Sequence, residues 1–244
     1  MAKNIFFIAD DLGLSSETNE AMLAAHKEGA LHGAALMMGQ PGTDEAVALA
    51  KATPGFQVGI HLHFTDSVPL TRAAWPWAPT PAAAGWSIGL LPSARKLMEE
   101  ELAAQWAAYE ATGLPCRFVT THHHLHVHPF IYEALCRTIP PEKAGWLRFG
   151  AVRLFGGDPL GLRIGMACGN LANVRRRRRS PYRCSDTLWG VGRTFGMKAD
   201  EVEAAIAGLP ADGLHEFIFH PRRVGDNDTT ELLKLKRLNL STPE

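Results

Sequence analysis

Apolar positions in this chain fall into short unbroken runs, separated by segments with helical spacing. Ile5-Phe6-Phe7-Ile8-Ala9 is apolar throughout, which predicts a strand covered on both faces. Asp10-Asp11-Leu12-Gly13 closes it. Ser15 and Ser16 then offer an N-cap for a helix whose apolar face is Ala21, Leu23, Ala24 and Ala25 and which Gly29 stops. Further strands are expected at Ala34–Met38, Gln57–Phe64, Arg117–Thr121, Trp146–Phe149 and Glu216–Phe219. Helices are expected over Thr43–Lys51, Pro92–Thr112, Pro129–Thr138 and Glu201–Ala207, and residues 65–90, rich in Pro and Trp, read as irregular.

Alternating strands and helices predict an α/β fold built on a mostly parallel sheet, with its site at the carboxyl ends of the strands. Metal-type residues fall at those ends: Asp10-Asp11 after the first strand, His61 late in the third, His122 after Thr121, and His220 after the last. Side chains of adjacent strand residues diverge, but a turn at the strand end lets both aspartates enter one pocket, one binding a cation and the other taking a proton. Alone, the pair reads more readily as acids placed at a helix start, stabilised by the helix N-terminus.

His61 and His63, two apart, share a strand face. His122-His123-His124-Leu125-His126-Val127-His128 holds five histidines in seven residues, and in an extended stretch His122, His124, His126 and His128 would also share a face. Neutral imidazole is a common ligand for divalent transition metals, and two histidines with one carboxylate leave positions open for chemistry. His220 reads either as a general acid or as a structural cap on the sheet.

The 244 residues are 46% hydrophobic and 20% charged, with a formal net charge of zero, so nothing global argues for nucleic acid. Cys116, Cys136, Cys168 and Cys184 form no CxxC pair, which excludes a readable zinc ribbon or redox motif. The N-terminal Met1-Ala2-Lys3-Asn4 leads into an apolar run too short for a signal peptide, and no stretch approaches the ~20 apolar residues of a membrane span. A cytoplasmic location is the expectation.

Three motifs together resemble the YdjC-like carbohydrate deacetylases, a family that includes chitooligosaccharide deacetylases. Ala9-Asp10-Asp11-Leu12-Gly13-Leu14-Ser15 is similar to its N-terminal signature, Val58-Gly59-Ile60-His61-Leu62 to its VGxHL strand, and Thr121 to His126 with Pro129 to its SHxHxH segment. The likeness runs from about residue 4 to 222 and treats 1–244 as a single domain. It implies a β/α barrel-like deacetylase fold, and a magnesium or zinc ion held by Asp11, His61 and His122. Asp10 would then be the base, His220 the acid for amine departure, and His63, His124, His126, Arg148 and Asp186 substrate contacts. The implied reaction is hydrolysis of an N-acetyl group on an amino sugar, in which the cation activates water and stabilises the oxyanion.

His122 to Pro129, Ser185-Asp186 with Trp189-Gly190, and Phe219-His220-Pro221 are more similar to the hopanoid-biosynthesis-associated members, which implies an N-acetylglucosaminyl hopanoid as substrate. Thr120 stands where the wider family has Asp, and Leu12 where it has Phe. Leu160–Ala172 is apolar and runs into Arg175–Arg179, a pattern suited to peripheral contact with an anionic membrane, helped by the Trp75–Trp86 loop. A solvated arginine face or an RNA patch reads from the same residues, and a homodimer stays open. Rival functions are a phosphoesterase on the same Asp/His set and a non-catalytic metal-binding module.

Overall fold

The computed structural model describes residues 4–238, so the reading of Met1–Lys3 and the last residues of the 1–244 domain lie outside the described part. Eight parallel strands form one sheet: β1 (Asn4–Leu12), β2 (Gly33–Leu36), β3 (Gln57–Leu62), β4 (Cys116–Thr121), β5 (Ala144–Leu147), β6 (Ala151–Arg153), β7 (Thr187–Trp189) and β8 (Leu214–Phe219). Their spatial order is β5-β4-β3-β2-β1-β8-β7-β6. The ends of that order are tied together. Leu147 of β5 accepts from Ser185 N at 3.2 Å and donates to Arg183 O at 2.8 Å, just before β7 begins. The sheet is therefore curled, as the barrel-like expectation required.

Alternation along the strands gives two apolar clusters. Ile5, Phe7 and Ala9 join the large core beneath the helices. Phe6 and Ile8 point the other way and pack with Ala35, Phe118, Trp146 and Leu214 inside the curl. Two strand glycines permit this packing: a Cβ at Gly33 would lie 2.0 Å from Gln57 O, and one at Gly59 2.3 Å from Phe118 O. Gly59→Ala is expected to destabilise the fold by about 1–3 kcal/mol, since backbone must move to admit the methyl group. A urea midpoint equal to that of the unsubstituted chain would contradict this.

The helices are α1 (Ser16–Lys27), α2 (Thr43–Ala52), α3 (Pro81–Leu90), α4 (Pro92–Ala111), α5 (Pro129–Thr138), α6 (Leu160–Arg178), α7 (Ala199–Ala207) and α8 (Asn227–Leu235). Ser15 caps α1 by accepting from Thr18 N, as expected. Several elements depart from expectation. Residues 65–90 are not wholly irregular, because Thr80 accepts from Ala83 N and Pro81 sits in the first turn, which starts α3. Trp75 and Trp77 are stacked and bond inward to Ser67 O and Phe64 O, whereas Trp86 is exposed. The histidine-rich segment is not extended. It is a 3-10 turn over His122–Val127, with His123 and His124 both at φ 54°, so its histidines do not share one face. Strands β6 and β7 and helices α6 and α8 lie outside the elements expected from the sequence. Among the described residues no helix is long and apolar enough to cross a membrane.

Candidate active site

The site grows from an irregularity in β1. Register against β2 runs Ala9↔Ala34 and then Leu12↔Leu36, so one extra residue is accommodated at Asp10-Asp11. Asp11 takes φ 71°, a left-handed conformation that Asp tolerates better than most residues. Asp10 continues the inward face of Phe6 and Ile8, and the bulge brings Asp11 into the same pocket instead of leaving it on the opposite face.

Asp11 Oδ1 lies 3.2 Å from His61 Nε2 and 2.9 Å from His122 Nδ1. The three ligand-type atoms fall within 4.8 Å of one another. Asp11 Oδ1 is buried and makes no hydrogen bond of acceptable geometry, while Oδ2 accepts from Arg222 Nη2 at 2.8 Å. That donor set fits a divalent cation: two imidazoles and one free carboxylate oxygen converge, and Arg222 fixes the carboxylate so that only Oδ1 is available. Burial alone would raise the Asp11 pKa, but the His122 and His61 imidazoles beside it hold it well below the ordinary value. His122 shifts upward: burial opposes its charge, and Asp11 more than compensates.

Asp10 has a different partner. Arg148 Nη1 reaches its two oxygens at 2.7 and 2.6 Å, and Arg148 Nε donates to Glu216 Oε2 at 2.9 Å. Trp146 Nε1 donates to the other Glu216 oxygen. Burial would raise the Asp10 carboxyl, but the Arg148 guanidinium together with the His61 and His220 imidazoles outweighs it and brings the pKa down to about 2. Asp10 is therefore ionised at any working pH. Asp10, Asp11 and Glu216 set three buried carboxylates against the guanidiniums of Arg148 and Arg222, which leaves the cluster one positive charge short of neutrality. A cation would correct that deficit.

The other expected site residues divide. His124 is electrostatically coupled to Asp10, its Nδ1 is buried without a hydrogen-bond partner, and burial pulls its pKa well below the ordinary value. His220 faces Asp10 and Asp11; its backbone N–H donates to Asp228, and burial favours the neutral imidazole against the pull of those carboxylates. Arg148 is fully buried and clamps Asp10, so most of its hydrogen-bonding capacity is used within the protein; only Nη2 is unpartnered. Asp186 is not brought to the site. It precedes β7 and accepts from Leu214 N, which puts it at the amino end of the sheet. His63 and His126 have ring nitrogens bonded within the protein: His63 to Met38 O and Ser67 Oγ, and His126, which also lines the cavity beside the site, to Thr121 Oγ1 and the Arg148 backbone.

Burial holds His63 down at about 4 and His126 at about 3, from an ordinary value of 6.5. The unfolded chain thus binds protons that the fold refuses as pH drops below 6.5, so stability is complete above that value and is lost with acid. By about pH 5 each group removes about 2 kcal/mol, offset in part by His122, whose shift has the opposite sign. The urea midpoint is expected to fall between about pH 7.5 and pH 5; a rise would contradict this assignment.

Sequence reasoning missed Arg222, two residues beyond His220, and the pairing of Glu216. A carboxylate within the apolar run Glu216–Phe219 was the available signal, because a buried acid requires a partner. Thr120, in register with His61, is buried with its hydroxyl unpartnered, as is His61 Nδ1. Beside His124 and Arg148 a cavity of about 220 Å³ opens, walled by Phe149, Val152, Met166 and Leu188.

The model of the YdjC-like protein family matches residues 4–239. The chain belongs to the YdjC-like family. Among curated relatives, a carbohydrate deacetylase from Brevibacillus brevis is 36% identical over 146 residues, covering 57% of this chain and 58% of that protein. One from Vibrio campbellii is 32% identical over 140 residues, 54% of each. The chain spans about half the length of the curated relatives it matches. A solved structure from Enterococcus faecalis, described as a candidate cellobiose-phosphate cleavage protein, shares the fold with a TM-score of 0.66 at 15% identity, covering 96% of this chain and 91% of the other.

Proposed function

We propose that this YdjC-like chain is a metal-dependent hydrolase that removes the acetyl group from an N-acetylglucosamine unit, carried on a hopanoid glycolipid. The observation that carries the reading is the division between the two aspartates: Asp11 turns a free oxygen toward His61 and His122, while Asp10 is held ionised by Arg148. The carbohydrate deacetylase names of the relatives agree with it.

Asp11, His61 and His122 would hold the cation, magnesium or zinc, and imidazole ligands lean towards zinc. When bound, the cation supplies Lewis-acid polarisation of the acetamide carbonyl and lowers the pKa of water. Asp10, ionised and immobile, accepts the proton of the attacking water. That proton does not stay there, because a carboxyl with a pKa of about 2 is a far weaker base than imidazole. His220, neutral at rest and coupled to Asp10, is the group to receive it and hand it to the departing amine. Arg148 and Glu216 keep Asp10 in place. His124 faces the same space with a free ring nitrogen, suited to a substrate hydroxyl or carbonyl. The apolar cavity walls favour a substrate with an apolar portion over a free chitooligosaccharide.

A substrate panel tests the reading. N-acetylglucosaminyl hopanoid and chitobiose are compared for acetate release, and simple phosphoesters for phosphate release. Acetate from the lipid-linked sugar is expected to be fastest. Phosphate release without acetate would make the chain a phosphoesterase, and tight metal binding with no turnover of any substrate would make it a binding module.

A further inference from the structure

Helix α6 has two unlike sides. Gly165, Met166, Gly169 and Asn173 line the cavity beside the site. At ~100° per residue, Leu160, Ile164 and Leu171 lie within about 40° of one another on the other side. These three are 72%, 57% and 77% exposed, and no residue of α6 is buried. Arg175 and Arg178 continue that outer stripe toward the C-terminus by the same spacing, and Arg179 follows.

The charge on this helix is also one-sided. Leu160–Arg178 contains no Asp or Glu, although the chain as a whole is neutral. Three of the arginines bond within the protein: Arg163 to Phe155 O, Arg176 to Val127 O and Asn173, and Arg177 to Asp186 O. Arg175, Arg178 and Arg179 are exposed and have no side-chain partner among the described residues. A second exposed ridge, Trp86 and Leu90 on α3, adjoins the same 3-10 turn whose Val127 carbonyl Arg176 holds.

We propose that the outer face of α6 seats the protein on an anionic lipid bilayer, with Leu160, Ile164 and Leu171 entering the acyl boundary and Arg175, Arg178 and Arg179 meeting lipid phosphates. An apolar stripe bounded by unpaired cations, on a helix without acids, complements a negatively charged interface in both respects. A water-soluble partner would have to match the stripe and the charges at once, whereas an anionic bilayer presents both an acyl boundary and phosphates along its whole surface. The consequence for the site is that its α6 wall would lie against the membrane. The docking itself stands whether or not the deacetylase reading holds.

Vesicle sedimentation with the full chain tests it. Vesicles of phosphatidylcholine plus phosphatidylglycerol are expected to bind the protein at low salt, and phosphatidylcholine alone to bind it far more weakly. Replacing Arg175 and Arg178 with Ala is expected to weaken binding about 25-fold, about fivefold for each charge near the surface. Leu160→Ser with Ile164→Ser and Leu171→Ser is expected to abolish it, with an unchanged melting curve because all three side chains are exposed. Binding that is equal for both vesicle types, or unaffected by both sets of changes, overturns the proposal. So does a dimer that the serine changes convert to monomer without any vesicle binding, which would make a second copy the occupant. A salt-sensitive shift of RNA without vesicle binding overturns it as well.

Discussion

Asp10→Asn is expected to lower the deacetylation rate on the order of a thousandfold while leaving metal affinity nearly unchanged. The separation of these two effects follows from the geometry. Asp10 contacts Arg148, whereas the ligand-type atoms belong to Asp11, His61 and His122. Asparagine keeps the size and one acceptor oxygen but cannot take a proton from water. Calorimetric metal titration alongside acetate release measures both quantities. Full activity with metal bound would remove Asp10 from its assigned role, and loss of metal binding would place it among the ligands instead.

Arg148→Met should be the most damaging single change to stability, at about 3–5 kcal/mol. It leaves Asp10 and Glu216 buried with no counter-charge, both at most 2% exposed. Either carboxyl would then tend to protonate, so stability should recover in part at lower pH for this variant, in contrast to the acid loss expected from His63 and His126. Glu216→Gln added to Arg148→Met should restore part of the loss, since it removes one of the two stranded charges. Urea unfolding of the single and double variants checks this. Additive losses would mean that Glu216 and Arg148 act independently, contrary to their 2.9 Å contact.

What the sequence made legible was whatever has a period or a cap. The apolar run Ile5–Ala9, the Ser15 cap and the Pro129 start each produced the expected element. The convergence of Asp10, Asp11, His61, His122 and His220 at one end of the sheet followed from strand direction alone. Local backbone geometry was not legible. The bulge at Asp11 and the left-handed residues His123 and His124 have no signature in a hydrophobic pattern, so a segment read as extended is a tight turn. Long-range pairing was equally hidden: nothing near Arg148 in the chain announces Asp10 or Glu216. Asp186 shows the limit of motif likeness, since it sits at the amino end of a strand and holds backbone together. Thr120 remains the clearest departure from the family pattern. Its hydroxyl is unpartnered beside His61, whose Nδ1 likewise lacks the outer hydrogen bond that commonly orients a metal-binding histidine.

The proposed deacetylase activity depends on a cation held by the Asp11–His61–His122 cluster. Its most direct test is acetate release from N-acetylglucosaminyl hopanoid by protein stripped with a chelator and then titrated with zinc or magnesium. The stripped protein is expected to release none, activity to recover and saturate at one ion per chain, and an Asp11→Asn variant to show no recovery. Undiminished acetate release after complete stripping, or equal recovery in that variant, would contradict it.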